Sequence, residues 1–384
     1  MRGMDMLFLI ALVAVFTNGI VLGSRSMDDR EIKRQLKLLN KPAVKTIKSE
    51  DGDIVDCVDI YKQPSLDHPL LKNHTIQMRP SIIPKGIASK STSKLAQQGW
   101  LKSGNCPEGT IPIRRTLKSD LVRAMSVSTM APLTSDGASS VQQAVWAELT
   151  QPNKTTYFAG VKAHINLWNV HVDPEDQYTS SSIYVANKDH DNFINAGWHV
   201  FPKFNGDNKT RFFIYWTADG NRNTVCYNHV CKGFVQVDNT IMLGAELYPV
   251  SKYNGDQYEV RLTLNLDHEI QSWWLQYGEK LVGYWPLSLF PNFRASLVQW
   301  SGQVFKSSAG HPTITQMGSG HFPNEGLYKA AYFANAKVRV REEDYYEIGD
   351  AKTHAPKPWC YDIGRIEDGN RFLYGGPGVG PNCA

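Results

Sequence analysis

Phe193-Ile194-Asn195-Ala196-Gly197-Trp198-His199-Val200 places an apolar residue at every second position from Ile194 onward. Successive side chains of a strand point to opposite faces, so Ile194, Ala196, Trp198 and Val200 read as the face toward a core. Asn195, Gly197 and His199 then form the other face. Residues 295–304 repeat the pattern: Val298, Trp300 and Val304 share one side, Gln299, Ser301 and Gln303 the other. Around these two segments the chain from Ala144 onward reads as strand after strand, at 157–165, 182–185, 211–216, 257–264 and 272–277, divided by Gly, Asn and Asp turns. No helical apolar period of useful length interrupts them. The expected fold is mostly β, an antiparallel β-sandwich of two curved sheets.

The N-terminal third reads differently. Arg2 precedes an apolar stretch from Met6 to Phe16, and Val21-Leu22-Gly23 suits signal cleavage, so residues 1–23 are expected to be a secretory signal. A membrane anchor needs ~20 apolar residues, and Asn18 interrupts this run; no stable membrane anchor is expected. From Ser26 a short helix is expected, with Ser26 as cap, Ile32, Leu36 and Leu39 as its apolar stripe and Pro42 as its stop. Extended runs at 53–58 and 109–113 follow. Residues 125–140, rich in Ser, Thr, Ala, Pro and Gly with the single charge Asp136, read as a linker open to proteases. The division is therefore 1–23 signal, 24–124 N-terminal segment, 125–140 linker and 141–384 body.

Hydrophobic residues make up 42% of the 384 and charged residues 20%, which is ordinary for a globular protein. Residues 24–124 carry 19 Lys and Arg against 11 Asp and Glu, net +8, whereas 125–384 are net −4. A basic segment docked on an acidic body is one reading of that asymmetry, with acid expected to loosen the contact by protonating carboxylates. Six cysteines, Cys57, Cys106, Cys226, Cys231, Cys360 and Cys383, fit an oxidising compartment. Of the fifteen possible pairings, their clustering favours 57–106, 226–231 and 360–383. Asn73, Asn153 and Asn208 each head a glycosylation sequon. The expected location is secreted and extracellular.

Several chemistries are excluded. Cys226 to Cys231 lacks the second ligand pair of a zinc knuckle, and in His268-Glu269 a serine, Ser272, replaces the second zincin histidine. There is no nucleophile-elbow serine and no phosphate-binding glycine loop. A net charge of +4, with its excess confined to the N-terminal segment, does not argue for nucleic acid. No metal or cofactor is expected.

A resemblance emerges from longer motifs. Asp59-Ile60-Tyr61-Lys62-Gln63-Pro64, Asp67-His68-Pro69-Leu70-Leu71-Lys72-Asn73-His74 and the run from Cys106 to Arg115 resemble the activation-peptide region of neprosin-like proteins. Ala196-Gly197-Trp198, Tyr215-Trp216-Thr217-Ala218-Asp219-Gly220, Cys226-Tyr227-Asn228, Gly233-Phe234-Val235-Gln236, Trp273-Trp274-Leu275-Gln276-Tyr277-Gly278, Gly283-Tyr284-Trp285-Pro286 and the run from Thr315 to Pro323 resemble the neprosin peptidase domain. The family's namesakes are secreted plant glutamic endopeptidases, best known for cutting beside proline and active in acid, so the resemblance implies a location in the apoplast or cell wall. The resemblance implies a β-sandwich whose catalytic cleft lies on one sheet face and is masked by the pro-segment until that is removed.

Cleavage of that kind needs two carboxyl groups, one ionised to activate water and one protonated to donate. In the family pattern one glutamate directly precedes Ala-Gly-Trp; here that position is Asn195. The other stands in Trp-Gly-Gly-Glu-Val, and Trp300-Ser301-Gly302-Gln303-Val304 puts Gln303 there, with Gln299 the alternative in a shifted register. All three are amides, which hold hydrogen bonds but cannot act as general bases. Cleft candidates beside them are His199, Tyr215 and Glu325, with Glu148 and Asp191 as further carboxylates; each acid is more often an exposed surface group. The expected function is a non-catalytic relative that binds peptide, proline-rich by analogy, the motive being that Trp198, Trp216, Trp273, Trp274 and Trp285 are retained beside the loss of both acids, unless these tryptophans are core. Alternatives are an active acid endopeptidase using other carboxylates, or a wall-carbohydrate binder using exposed aromatics.

Overall fold

The computed structural model describes residues 29–84, 93–127, 141–150, 156–173, 177–222, 224–306, 314–341, 343–380 and 383. The expected signal, the Ser26 cap, the Asn153 sequon and most of the expected linker lie outside them.

The N-terminal segment begins with helix α1 (Asp29–Leu39), which buries Ile32 as expected. A three-stranded antiparallel sheet follows, β1 (Ala43–Lys48), β2 (Ile54–Asp59) and β3 (Thr110–Arg114), in the order β1-β2-β3. The expectation of one helix is corrected by a second, α2 (Lys118–Val127), which carries three residues into the expected linker. Its start is fixed by Asp120, which accepts the Leu117 N–H at 2.7 Å and pairs with Arg123 one turn on. A composition-based boundary misses such a local cap.

The body contributes β4 (Val141–Thr150), β5 (Phe158–Asn166), β6 (Gln177–Ala186), β7 (Phe193–Val200), the short helix α3 (Pro202–Asn205), β8 (Thr210–Thr217), β9 (Cys226–Tyr227) and β10 (Val235–Gln236). Then come β11 (Tyr258–Asp267), β12 (Ser272–Tyr277), β13 (Lys280–Pro286), β14 (Leu297–Lys306), β15 (Ala331–Val340), β16 (Lys352–His354), β17 (Asp362–Ile363) and β18 (Phe372–Gly375). The first sheet runs β9-β8-β7-β6-β14-β4-β16; the second follows the path β10-β13-β12-β11-β5-β15-β18-β17. The pairings within these two paths are antiparallel.

The two sheets share one core, so the sandwich expectation holds. Ile194, Ala196, Trp198 and Val200 are all fully buried, with Val298 and Trp300 beside them. The indoles of Trp198 and Trp300 cross the core and donate to the backbone carbonyls of Asn166 and Lys162 on β5, each at 3.0 Å. A core tryptophan thereby satisfies its one polar atom while removing roughly 200 Å² from water. Trp216, Trp273, Trp274 and Trp285 are buried as well, at 2% exposure or less. The disulfides join Cys57 to Cys106, Cys226 to Cys231 and Cys360 to Cys383, the neighbour pairing that the spacing favoured. Among the described residues no helix is long and apolar enough to cross a membrane.

Candidate functional site

The outward face of the first sheet carries the residues singled out above, and cross-strand register sorts them into rows. One row runs Tyr227, Tyr215, Asn195, Tyr184, Gln299, Glu148, Lys352 from β9 to β16. The next is Phe213, Gly197, Ser182, Ser301, Trp146, His354. A third is Arg211, His199, Ser180, Gln303, Ala144. Asn195 and Gln303 thus share a face but not a row. Gln303 lies four residues further along, about 13 Å at strand rise, whereas Gln299 sits opposite Asn195 across one intervening strand, about 10 Å away. The shifted register weighed from the sequence is the one that aligns with Asn195.

The face is a trough with aromatic walls. The sheet curls so far that the hydroxyls of Tyr227, at its edge, and Tyr178, near its middle, interact. Tyr215 stacks on Tyr227 with ring centres 4.4 Å apart and meets Phe193 edge-on at 5.1 Å; Phe193 packs on Tyr184. Tyr178, Phe201 and Phe305 close the far end. Burial pushes the Tyr178 phenol up to about 12 and those of Tyr184, Tyr215 and Tyr227 higher still, so all four are neutral hydrogen-bonding groups. Between the walls the floor is small and polar: Gly197, Ser180, Ser182 and Ser301. At Gly197 a Cβ would stand 2.0 Å from the Ser181 carbonyl oxygen, so only glycine lets β6 approach this closely. Asn195 is 7% exposed, and its Oδ1, like the Ser182 Oγ, has no hydrogen-bond partner among the described residues.

The carboxylate candidates separate sharply. Glu148 lies in the Asn195 row and accepts hydrogen bonds from Gln299 Nε2 at 2.7 Å and Trp146 Nε1 at 3.0 Å. Among the described residues of these rows it is the one carboxylate. Glu325 does not line the trough. It sits after His321 in a loop turn, bonded to His321 Nδ1 at 3.0 Å and to the Tyr253 hydroxyl at 3.1 Å. Burial pushes its carboxyl up, but these donors leave it below its ordinary value. Asp191 occupies the turn between β6 and β7 and pairs with Arg222. His199 is on the right face but is 2% exposed, stacked on Phe213 and bonded to Asn205 at 3.0 Å. Burial, reinforced by the Arg211 charge, lowers its pKa to about 3, so it is a neutral wall group and not a base at mildly acidic pH.

The described part of the pro-segment docks beside the trough, not across its floor. Gln98 bonds the backbone of Met242, and Gln63 that of Gln236. The outer face of the second sheet takes the segment around His74 and Ser81: His74 Nε2 meets the Tyr284 hydroxyl at 2.7 Å, and Ser81 caps Asp267. Toward the trough, Arg123 of α2 reaches the Phe204 carbonyl beside the aromatic end wall. The buried ion pair across this interface reverses the polarity expected from net charge. Asp53 of the pro-segment meets Arg211 of β8 at 2.7 Å, with Arg114 on its other side and Asp207 on Arg211.

Asn73 and Asn208 are exposed, as sequon asparagines must be to carry glycans. Among the described residues no group of three or more His, Cys, Asp or Glu side chains could hold a metal.

A two-sheet β protein with a polar, aromatic-walled trough and an N-terminal domain docked at its flank is the class these features define. The chain belongs to the neprosin family: residues 175–377 match the Neprosin family model, and residues 46–159 match the Neprosin activation peptide. Similar solved structures include Scytalido-glutamic peptidase with a peptide-based transition-state analog, 10% identical, covering 62% of this chain and 99% of that one with a TM-score of 0.36. SCP-B, a member of the Eqolisin family of peptidases in a complex with the tripeptide Ala-Ile-His, is 9% identical, with coverages of 61% and 98% and a TM-score of 0.33. CG-16, a homodimeric agglutinin from chicken liver, is 14% identical, with coverages of 43% and 96% and a TM-score of 0.24.

Proposed function

We propose that this chain is a secreted, non-catalytic neprosin relative that binds an extended peptide along the trough of the first sheet. The observation that carries the reading is the polar inventory of the Asn195 row. Two-acid catalysis needs a second carboxyl beside the first, and among the described residues of this row Glu148 is the lone carboxyl, with Gln299 on one side and Lys352 on the other. Asn195 Oδ1, buried and without a partner among the described residues, is an acceptor suited to a ligand N–H, since leaving it unpaired costs roughly 1–3 kcal/mol. Tyrosine and phenylalanine walls suit the flat, apolar ring of proline. After proteolysis within 125–140, the protein is expected to bind a proline-rich peptide by calorimetry and to leave it intact at pH 3–5. Digestion at any pH in that range refutes the reading.

A second reading, an acid endopeptidase, is favoured by the position of Glu148, hydrogen-bonded by Gln299 opposite Asn195. It requires digestion that Glu148→Gln abolishes. The five tryptophans that motivated peptide binding from the sequence are buried, so they do not support it, and the reading rests on the trough's own polar row and aromatic walls; wall-carbohydrate binding through exposed aromatics would show as retention on a polysaccharide column. Installing Asn195→Glu with Gln299→Glu, and separately with Gln303→Glu, tests the inherited scaffold. Proteolysis is expected from the same-row pair if carboxyl proximity governs the chemistry.

A further inference from the structure

The disulfide between Cys226 and Cys231 lies where the chain leaves the edge of the first sheet for the edge of the second, between β9 and β10. It differs from the other two in burial. Cys57, Cys106, Cys360 and Cys383 are at 4% exposure or less, as is Cys226, whereas Cys231 is half-buried and the most exposed of the six. It also differs in reach, its cysteines standing 5 apart in sequence against 49 and 23 for the other pairs. A crosslink that closes a short loop removes the least entropy from the unfolded chain, so this one opens at the smallest cost to the fold. An accessible sulfur is what an attacking thiolate needs.

This clasp holds one wall of the trough. β9 is two residues long and sits at the sheet edge, with Cys226 opposite Trp216 and Tyr227 opposite Tyr215 on β8. Tyr227 stacks on Tyr215 at 4.4 Å and meets the Tyr178 hydroxyl. Asn228, the next residue inside the ring, continues the pairing: its N–H donates to the Ile214 carbonyl at 3.0 Å, and its Oδ1 accepts the Ile214 N–H at 3.1 Å. It does so at φ 48°, a left-handed conformation that asparagine tolerates but that carries a steric cost.

We propose that the Cys226–Cys231 disulfide is a redox-sensitive clasp on the trough wall, opened by a dithiol. One thiolate of the reductant attacks Cys231 Sγ; the S–S bond breaks, and Cys226 leaves as a thiolate and takes up a proton. The second thiol of the reductant then displaces Cys231, which is protonated in turn. Two electrons pass to the cysteines, and the reductant ends as its own disulfide. With the ring open, Asn228 relaxes from its left-handed conformation and the two-residue edge strand separates from β8 by local opening. Tyr227 then leaves Tyr215, and the trough widens at the end of the Asn195 row. The wall opens in this way whatever ligand the trough takes.

The test exposes the folded full chain to graded dithiothreitol near neutral pH, quenches it in acid, and alkylates the freed thiols for mass spectrometry. Cys226 and Cys231 are expected to appear as thiols at a reductant concentration at least tenfold below that which opens the other pairs. In that window, hydrogen exchange at residues 213–216 and 226–228 is expected to quicken at least tenfold, while β6 and β14 stay protected. Cys226→Ser with Cys231→Ser is expected to show the fast exchange without reductant and no further change with it. The reductant series on the native chain decides the matter even where that variant does not fold. Three pairs opening together, another pair opening first, or thiols at 226 and 231 with unchanged exchange at 213–216 would each overturn the proposal.

Discussion

Arg211 illustrates how much one residue couples. At 1% exposure it joins the pro-segment, through Asp53, to Asp207 beside the trough wall, and its charge helps hold His199 neutral. Burial pushes the Asp53 carboxyl up, but Arg211 and Arg114 more than offset this and hold it below its ordinary value. The sign follows. Asp53 contributes its stability above the ordinary carboxylate range and loses it only as pH falls through its lowered value, so acid near pH 4–5 leaves the clamp intact. Asp53→Asn is expected to cost about 3 kcal/mol, because breaking a buried pair strands its partner, here moderated by Asp207; urea unfolding at pH 7 measures it. Gly197→Ala is expected to cost about 3 kcal/mol or more, since the new methyl meets the Ser181 carbonyl and the Ser182 backbone with nowhere to move. Neither residue announced its role in sequence. Alternation placed Asn195, Gln299 and Gln303 on one face, which is what period-2 patterning can deliver. Which glutamine stands opposite Asn195 depends on the β6 register, a non-local quantity that no single strand encodes.

Among elements, the strands of the trough were legible because each buries one face and alternates cleanly; β7 and β12 were read to the residue. β15 was not read, since a bulge between Ala334 and Lys337 shifts its buried positions from Ala331 and Phe333 to Ala336, Val338 and Val340 and so breaks the alternation. Helix α2 was missed because its cap is a single aspartate in a composition typical of linkers. The docked element also behaves differently from the charge-based expectation of acid release by carboxylates. Gln77 N–H donates to the Tyr284 hydroxyl oxygen at 2.9 Å, and the phenol hydrogen can then point to His74 Nε2 at 2.7 Å, an arrangement that suits an unprotonated Nε2. Burial lowers the His74 pKa accordingly. Releasing this segment frees His74 to take up a proton, so undocking becomes easier as pH falls below about 6.5 and is unaffected by pH above it. With the linker cleaved, retention of the pro-segment on an immobilised body is expected to fall between pH 7 and pH 5. His74→Phe is expected to flatten that dependence.

For the whole molecule, the same sign argument predicts a fold that weakens in acid. His199 titrates near 3 when folded and near 6.5 when unfolded, so only the unfolded chain binds this proton between those values. Its contribution is complete above about pH 6.5 and declines as pH falls toward 3. Across pH 7 to 4 that single site removes about 3 kcal/mol, at 1.36 kcal/mol per unit. Burial lowers His229 to about 4 as well, adding to the loss. The carboxylates held low, Asp53 and Asp267, do not act in this window, because their losses begin below the ordinary carboxylate range. Folded His199 stays neutral down to about pH 3, so acid acts on the trough through the stability of the fold and not through the charge of its wall. Urea midpoints at pH 7, 5 and 4 are expected to drop stepwise in the native chain. His199→Gln, which keeps a hydrogen-bonding group toward Asn205 without a titrating one, is expected to flatten the drop by about 3 kcal/mol at pH 4. A native chain equally stable at pH 7 and 4 would refute this account of its acid sensitivity.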